Sequence, residues 1–491
     1  MSHGVDFPAA PDGTRSTTAT GRAVIADALR ATDPVGARAA ENETAWRSRY
    51  LLHLRRAVEA GIDTPGAWWS IADGGLASVH ERLVLTGGPD EVPATTLLTA
   101  PADRALGSVE VTGRGTAVGE LALPYHGRTL RGNELRDRLA TWAEEGILEP
   151  SAVRAVGDVI DHPEWLRLDG FTTVVLGAGA EMGPVGPLLS WGARVAAVDL
   201  PGPAMWHRLL KLAESSAGTL VLPTGSVDGD PPGSAGGDPA AAAGVDLLVQ
   251  VPAIADWLAG LDGRLILGNY LYADGGAHVR LSVAADLLGR RLTDARPDSG
   301  LAFLATPTDV FVVPRDAVQQ SGAAYAGRSG RAKAVGRPLR WLTRGRLVHR
   351  AYPPDADPGI ADALVPAQGP NYALAKRIQR WRAAAARRDG RLVTFHVAPS
   401  TRTRSVMKNR ALAAAYAGAR RFGVEIFQPD TANTLMAALL VRDLAGGVTP
   451  HQHPWQDEAH AAVHGGLWRT PYAPRSSLGL AAVLGYTTAR M

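Results

Sequence analysis

The stretch Phe171-Thr-Thr-Val-Val-Leu-Gly177-Ala-Gly179-Ala-Glu-Met-Gly183 decides how this chain is read. Residues Phe171–Leu176 form a β-branched, apolar run of the kind that makes a buried strand, and glycines follow at once. A helical segment, Pro184–Trp191, leads to a second apolar run, Arg194–Val198, which ends in Asp199. This is strand, turn, helix, strand, with the element lengths of a parallel crossover. In such a unit Gly177 can make the tight turn, Gly179 lets the backbone approach a pyrophosphate, and Gly183 allows close helix–strand contact. Glu181 and Met182 lie within the same turn and would line a bound dinucleotide, with the Glu181 carboxylate bringing negative charge toward the phosphates. Asp199 could accept hydrogen bonds from ribose hydroxyls, which favours NAD as cofactor, with NADP as second choice.

Working outward, strand-like runs at Val245–Val251, Arg264–Leu267, Leu301–Ala305 and Arg391–Val397 continue the alternation with helical segments. The pattern predicts an α/β fold: a doubly wound, parallel, Rossmann-like sheet over 166–491, with insertions near 224–243 and 311–367. Ahead of it, 21–165 reads as an N-terminal α+β domain. Its helical patterns fall at Ala23–Leu29, Trp46–Ala60, Glu134–Glu145 and Ser151–Ile160, with short strands between 84 and 123. Residues 1–20, rich in Ser, Thr, Pro and Gly, read as a disordered leader.

Composition removes several classes. The 491 residues are 46% hydrophobic, enough for real cores, so a wholly disordered chain is excluded. With 51 basic and 48 acidic residues the formal charge is +3, and a nucleic-acid partner is not expected. The absence of cysteine excludes disulfides, thiolate catalysis, Cys-ligated zinc and iron–sulfur clusters. No signal-peptide pattern and no membrane-length apolar run are present, so a cytoplasmic location without a membrane partner is expected.

A second motif carries the chemistry. Gln368-Gly-Pro-Asn-Tyr372-Ala-Leu-Ala-Lys376 opens a helix that runs to about Arg387, and Tyr372 and Lys376, at i and i+4, share a face. A neighbouring ammonium lowers a phenol pKa, which yields an acid/base group usable near neutrality. The same lysine can reach a nicotinamide ribose.

Taken together, VLGAGAEMG (175–183), NYALAK (371–376), LVTFHVAPSTRT (392–403) and PDTANTLMAALLVRDLAGG (429–447) resemble, in order, the short-chain dehydrogenase/reductase superfamily. They are similar to its glycine turn, its Tyr-x-x-x-Lys helix, its sixth strand with the Pro-containing nicotinamide loop, and its late helix before a last strand. The resemblance implies cofactor contacts from Lys376 and from Pro399, Ser400 and Thr401. Three departures stand out. Glu181 replaces the middle glycine, 195 residues separate Gly177 from Tyr372, and no serine occurs between Ser329 and Ser400. Thr306 or Thr308, after the Leu301–Ala305 strand, could supply the missing hydroxyl. Asn269 is the natural active-site asparagine.

The expected activity is hydride transfer between nicotinamide and a carbonyl/alcohol pair, as in a ketoreductase, with Tyr372 as acid/base. The alternatives are a catalytically silent scaffold, nucleotide-binding or nucleotide-free, that serves as a partner-binding protein, and a redox-neutral NAD-dependent epimerase or dehydratase. The substrate is a small molecule or an acyl thioester. The basic segment 327–350, with Arg337, Arg340 and Arg344 at helical spacing beside Trp341, could hold an acidic carrier or the phosphates of CoA. His460 and His464 are at i, i+4 but lack an HExxH context, so no metal is expected, and the turn from His464 to Arg469 is expected to close over the substrate. A homo-oligomer is left open.

Overall fold

The computed structural model describes residues 4–88, 90–225, 238–330, 334, 338, 340–344 and 346–488. Seven strands build the central sheet: β1 (Gly107–Thr112), β2 (Phe171–Leu176), β3 (Arg194–Val198), β4 (Thr219–Thr224), β5 (Arg264–Asn269), β6 (Gly300–Ala305) and β7 (Leu392–Val397). Their order is β7-β6-β5-β2-β3-β4-β1. Every neighbouring pair is parallel except β1 with β4, which is antiparallel. The six parallel strands are buried on both faces, which is why they read as continuous apolar runs, whereas β1 at the edge alternates and exposes one face. The order reverses between β2 and β5, where Leu176 and Asn269 are register partners. The crevice beyond those two strand ends is where open α/β sheets hold ligands. The fold is a doubly wound, Rossmann-like α/β sheet.

Six helices flank it: α1 (Val185–Trp191), α2 (Pro203–Ser215), α3 (Val251–Ala259), α4 (Gly276–Ala295), α5 (Pro370–Arg388) and α6 (Pro429–Gly446). Alternate residues of β2 and β3 serve two apolar clusters. Val174, Leu176, Ala196 and Val198 face the cluster that contains α4 and α5, whereas Val175, Val195 and Ala197 face the one that contains α1 and α6. Residues 4–98 pack in the first cluster and 121–168 in the second, so the first third of the chain covers both faces of the sheet. Among the described residues no helix is long and apolar enough to cross a membrane.

Three expectations need correction. Val245–Val251 is not a strand; the third parallel strand is Thr219–Thr224. The Asp246 carboxylate accepts the Leu248 N–H and the Gln250 amide oxygen accepts the Asp246 N–H, so local turns use the polar groups a strand would need. The leader is folded from Gly4 onward. Gly4–Asp6 pairs with Val84–Thr86, Val5 donates to the Leu248 carbonyl at 2.9 Å, and Ser16 caps a helix from Thr17 to Leu29. Val5 and Phe7 are buried, and their apolar contacts outweigh the disorder-prone composition around them. Lastly, among the described residues no strand follows α6, and β7 is the sheet edge.

Of the two expected insertions, 224–243 lies outside the described residues over 226–237 and ends in a short helix, Pro239–Ala242. The other, between β6 and α5, contains a two-stranded antiparallel pair, Val310–Val313 with Gly359–Asp362, and a helix over Arg315–Ala326.

Helix Pro65–Arg82 lies on α5 so closely that a Cβ at Gly75 would sit 2.3 Å from the Trp381 ring. Trp381 is buried, and its rigid ring can give way only by displacing its neighbours. Gly75→Ala is therefore expected to destabilise the protein by about 1–3 kcal/mol through overpacking. Gly66→Ala, in the same helix with open space around it, should be neutral or slightly stabilising. Thermal denaturation of the two variants checks this, and equal melting temperatures would refute the packing argument.

Candidate active site

Strand β6 ends at Ala305, and Pro307 in Thr306-Pro-Thr308-Asp309 prevents its continuation. Helix α5 starts where Gly369, at φ +81°, lets the chain turn and Pro370 occupies the first turn. These two breaks bring Thr306 and Thr308 up against the start of α5, where Tyr372 stands.

The two threonine hydroxyls are 2.8 Å apart, and Gln368 Nε2 donates to Thr308 Oγ1 at 2.6 Å. The Thr306 hydroxyl faces the Tyr372 phenol. Lys376 Nζ donates to the Leu304 carbonyl (3.3 Å) and to Gln379 Oε1 (3.1 Å). Gln379 in turn donates from Nε2 to Asn269 Oδ1 at 3.4 Å. Tyr372, Lys376, Thr306, Thr308 and Asn269, predicted from three separate segments, thus stand in one cluster at the carboxyl ends of β5 and β6.

Electrostatics in this cluster follow burial. Burial pushes the Tyr372 phenol above its ordinary range, with the Thr306 hydroxyl acting against the shift. Burial likewise pushes Lys376 down to about 8. The expected lowering of the phenol by Lys376 is not what this site shows, because the ammonium is directed at Leu304 and Gln379. Tyr272 and His278 pack around the Tyr372 ring, at centroid distances of 6.3 and 5.3 Å.

Gly177 turns the chain at φ +81°, and a Cβ there would meet Tyr270 and Leu271 backbone at 3.2 Å. The Gly179 N–H donates to Asp199 Oδ2 and the Leu200 N–H to Asp199 Oδ1, both at 2.8 Å, so Asp199 clamps the turn to the end of β3. Ala180 and Gly183 use their N–H groups on carbonyls of the turn itself. Met182 packs into the apolar cluster on the α1 side. Met205 lies over Gly179, within 2.9 Å of where a Cβ would be. Glu181 does not point at the turn's N–H groups: its carboxylate accepts from the Arg404 backbone N–H (2.7 Å) and guanidinium (2.8 Å). The loop after β7 is held firmly. Ser400 C=O accepts the Phe427 N–H at 2.9 Å, Thr401 Oγ1 donates to the Pro399 carbonyl at 2.9 Å, and both side chains are buried.

Two other readings fare differently. Residues 464–469 are not a cover over the substrate but core: His464 is fully buried, bonded to Glu149 at 2.9 Å and stacked on Trp468. The carboxylate of Glu149 also takes Arg469, so a buried charge cluster fixes the turn inside the protein. In the basic segment Arg337 lies outside the described residues, whereas Arg340 and Arg344 are exposed beside Trp341, itself 81% exposed. Sequence reasoning missed Gln379, His278, Gln368 and Arg404. Gln379 had a signal, since it lies seven residues after Tyr372 and three after Lys376, on their face.

No protein-family model and no curated protein matches the chain. Among solved structures it is similar to the terminal R domain from the myxalamid PKS-NRPS biosynthetic pathway, at 13% identity and a TM-score of 0.30, over 61% of this chain and 68% of that one. It is also similar to a thiolation-reductase di-domain from an archaeal non-ribosomal peptide synthetase, at 11% identity and a TM-score of 0.30, over 60% of this chain and 58% of that one. What the site can do is read from its own residues.

Lys376 offers a direct check. Its folded pKa of about 8 lies below the ~10.4 of an unfolded lysine, so the unfolded chain binds the extra proton between those values. Stability from this group should therefore rise with pH from about 8 to about 10, and that rise should vanish in Lys376→Met. Urea denaturation across the window measures it. Identical pH slopes for both proteins would show that Lys376 is solvated.

Proposed function

We propose that this chain is an NAD(P)-dependent oxidoreductase of the short-chain dehydrogenase/reductase type that reduces a carbonyl, with Tyr372 as the proton donor. The observation that carries the reading is the convergence of Thr306, Tyr372, Lys376 and Asn269 beside the crevice at the switch point. A substrate oxygen between Thr306 and Tyr372 would meet two hydroxyl donors where negative charge develops. Because burial keeps the phenol protonated, the site favours reduction, in which Tyr372 hands its proton to the developing alkoxide. Lys376, one helical turn away, ionises near neutrality and can help restore that proton.

Gly177, Gly179 and Asp199 would hold the dinucleotide, Lys376 its nicotinamide ribose, and Pro399, Ser400 and Thr401 would wall the nicotinamide; once bound, the cofactor supplies hydride. The chain's residues fit this group. Gly179 has no side chain to block approach, Met205 above it is a flexible side chain that can swing aside, and the Glu181 charge is neutralised by Arg404. Asp199 at the end of β3 favours NAD over NADP. The exposed Arg340 and Arg344 suit an acyl thioester carried by an acidic protein or by CoA.

Two outcomes are expected. With octanal and an octanoyl thioester as probes, Tyr372→Phe should lose on the order of 10²–10⁴ in kcat while keeping its nucleotide affinity. Thr306→Val should lose less, and Lys376→Ala should damage both binding and turnover. Full activity in Tyr372→Phe would refute the assignment. In calorimetric titration of protein shown by mass spectrometry to be nucleotide-free, NADH should bind more tightly than NADPH, and Asp199→Ala should erase that preference. Binding of neither nucleotide would favour the scaffold reading, in which Met205 permanently covers Gly179.

A further inference from the structure

Gln368 stands outside the residues assigned above, yet a hydrogen-bonded chain runs from it into the site. It is pinned to Val365 in both directions. Its backbone N–H donates to the Val365 carbonyl at 3.0 Å, and its Oε1 accepts the Val365 N–H at 3.3 Å. A backbone N–H can only donate, so the amide oxygen is the end held at Val365 and the nitrogen is the end turned to Thr308. There Nε2 lies 2.6 Å from Thr308 Oγ1. An amide nitrogen has hydrogens to give and no lone pair to receive with, so Thr308 must accept.

A threonine hydroxyl has a single hydrogen. With Gln368 on its lone pair, the Thr308 hydroxyl has one further partner among the described residues, the Thr306 hydroxyl at 2.8 Å. The backbone agrees, because the Thr308 N–H is also directed at Thr306 Oγ1, at 3.4 Å. Pro307 stands between the two threonines, and its ring fixes φ within the turn that brings them together. Thr306 is thus the acceptor for both groups of Thr308. Its own hydrogen is left for the Tyr372 phenol that it faces, or for an oxygen bound between the two. In the reverse order Thr306 would turn its hydrogen to Thr308 and present only lone pairs, which oppose a developing alkoxide.

We propose that Gln368 is a positioning residue that sets the direction of the Gln368–Thr308–Thr306 chain, so that Thr306 meets the reacting carbonyl oxygen as a hydrogen-bond donor. No proton changes hands in this role. The hydrogens are held in one order before substrate arrives, which is the preorganisation that a site for developing negative charge needs. A lone threonine hydroxyl turns freely between giving and receiving, and Gln368 removes that freedom. The proposal rests on the reading of Tyr372 as the acid.

The test uses the full chain. In neutron diffraction from nucleotide-free crystals grown in heavy water, the Thr308 hydroxyl deuterium should lie on the line to Thr306 Oγ1. The Thr306 deuterium should point away from Thr308. A Thr306 deuterium directed at Thr308 would overturn the proposal, and this map decides alone if the variants do not fold. Gln368→Glu keeps the shape of the side chain, but a carboxylate can only accept, so it should reverse the chain. With octanal and NADH at about pH 8, its kcat should fall roughly 10- to 100-fold, less than the ~10²–10³ for direct loss of such a donor, with KM little changed. Below about pH 6 the new carboxyl takes up a proton and can donate again, so the ratio of variant to unmodified kcat should climb back toward one. Gln368→Met, with no group to reverse, should show the same loss at every pH. A ratio for Gln368→Glu that stays flat with pH while Tyr372→Phe is inactive would overturn the positioning role and leave the enzyme reading standing. Turnover retained in Tyr372→Phe would overturn the enzyme reading, and the role of Gln368 with it.

Discussion

The placement of the site depends on a buried carboxylate three residues beyond Thr306. Asp309 accepts Arg377 Nη2 at 2.7 Å on one oxygen and Arg380 Nη1 at 2.8 Å on the other. Arg380 continues to Glu458, at 2.5 and 3.0 Å, and stacks its guanidinium 4.2 Å from the Phe311 ring. Two positive and two negative groups cancel in a region that excludes water. Burial alone would raise the Asp309 pKa, but Arg377 and Arg380 outweigh it and hold the carboxyl below its usual range. Removing one partner from such a network typically costs about 3–5 kcal/mol, because a buried charge is left uncompensated. Arg377 follows Lys376 directly on α5, so the ion pairs that fix the helix against the segment after β6 also set where Tyr372 meets Thr306.

The helix that carries Tyr372 and Lys376 is packed under a layer from the start of the chain. In the first apolar cluster, helices from the first hundred residues cover α4 and α5, with Gly75 against Trp381 and His80 paired to Asp286. Loss of solvent is the main cause of both the raised Tyr372 and the lowered Lys376. From that layer His80, together with Arg382 of α5, holds Asp286 of α4 and so ties the two helices together.

The sequence shows some of this well and some of it not at all. Strands β2 and β3 were legible to the residue, because a strand buried on both faces is written as an unbroken apolar run bounded by a glycine turn and an acid. Strand β4 was not: Pro223 interrupts its run, whereas 245–251 offers a similarly apolar stretch that is a half-buried loop, with Val245 and Leu247 inside and Val249 exposed. Periodicity cannot separate these two, since burial rather than strand geometry puts the apolar residues there. At the site, the spacing of Tyr372 and Lys376 and the position of Thr306 after a strand were both local facts. The surroundings of His278 were not local, because its neighbours come from a loop and from a helix about a hundred residues away.

The glycine turn shows how one acidic position can change meaning in three dimensions. Read along the chain, Glu181 sets a carboxylate where phosphates are expected, which argues against a dinucleotide. In space, Arg404 supplies both a guanidinium and a backbone N–H to that carboxylate, and the Asn433 amide donates to the Glu181 carbonyl at 2.5 Å. The charge is neutralised, and the turn is joined to the loop after β7 and to α6. Where a glycine would leave the turn free, this side chain fastens it across the crevice to the wall assigned to the nicotinamide. The N–H groups that the turn spends on its own carbonyls point the same way, toward a turn kept rigid from within. Rigidity of this kind lowers the ordering that binding must impose, at the expense of donors free to meet a phosphate. On the proposed reading, that balance leaves Asp199, already clamping Gly179, as the polar group that would tell one dinucleotide from another.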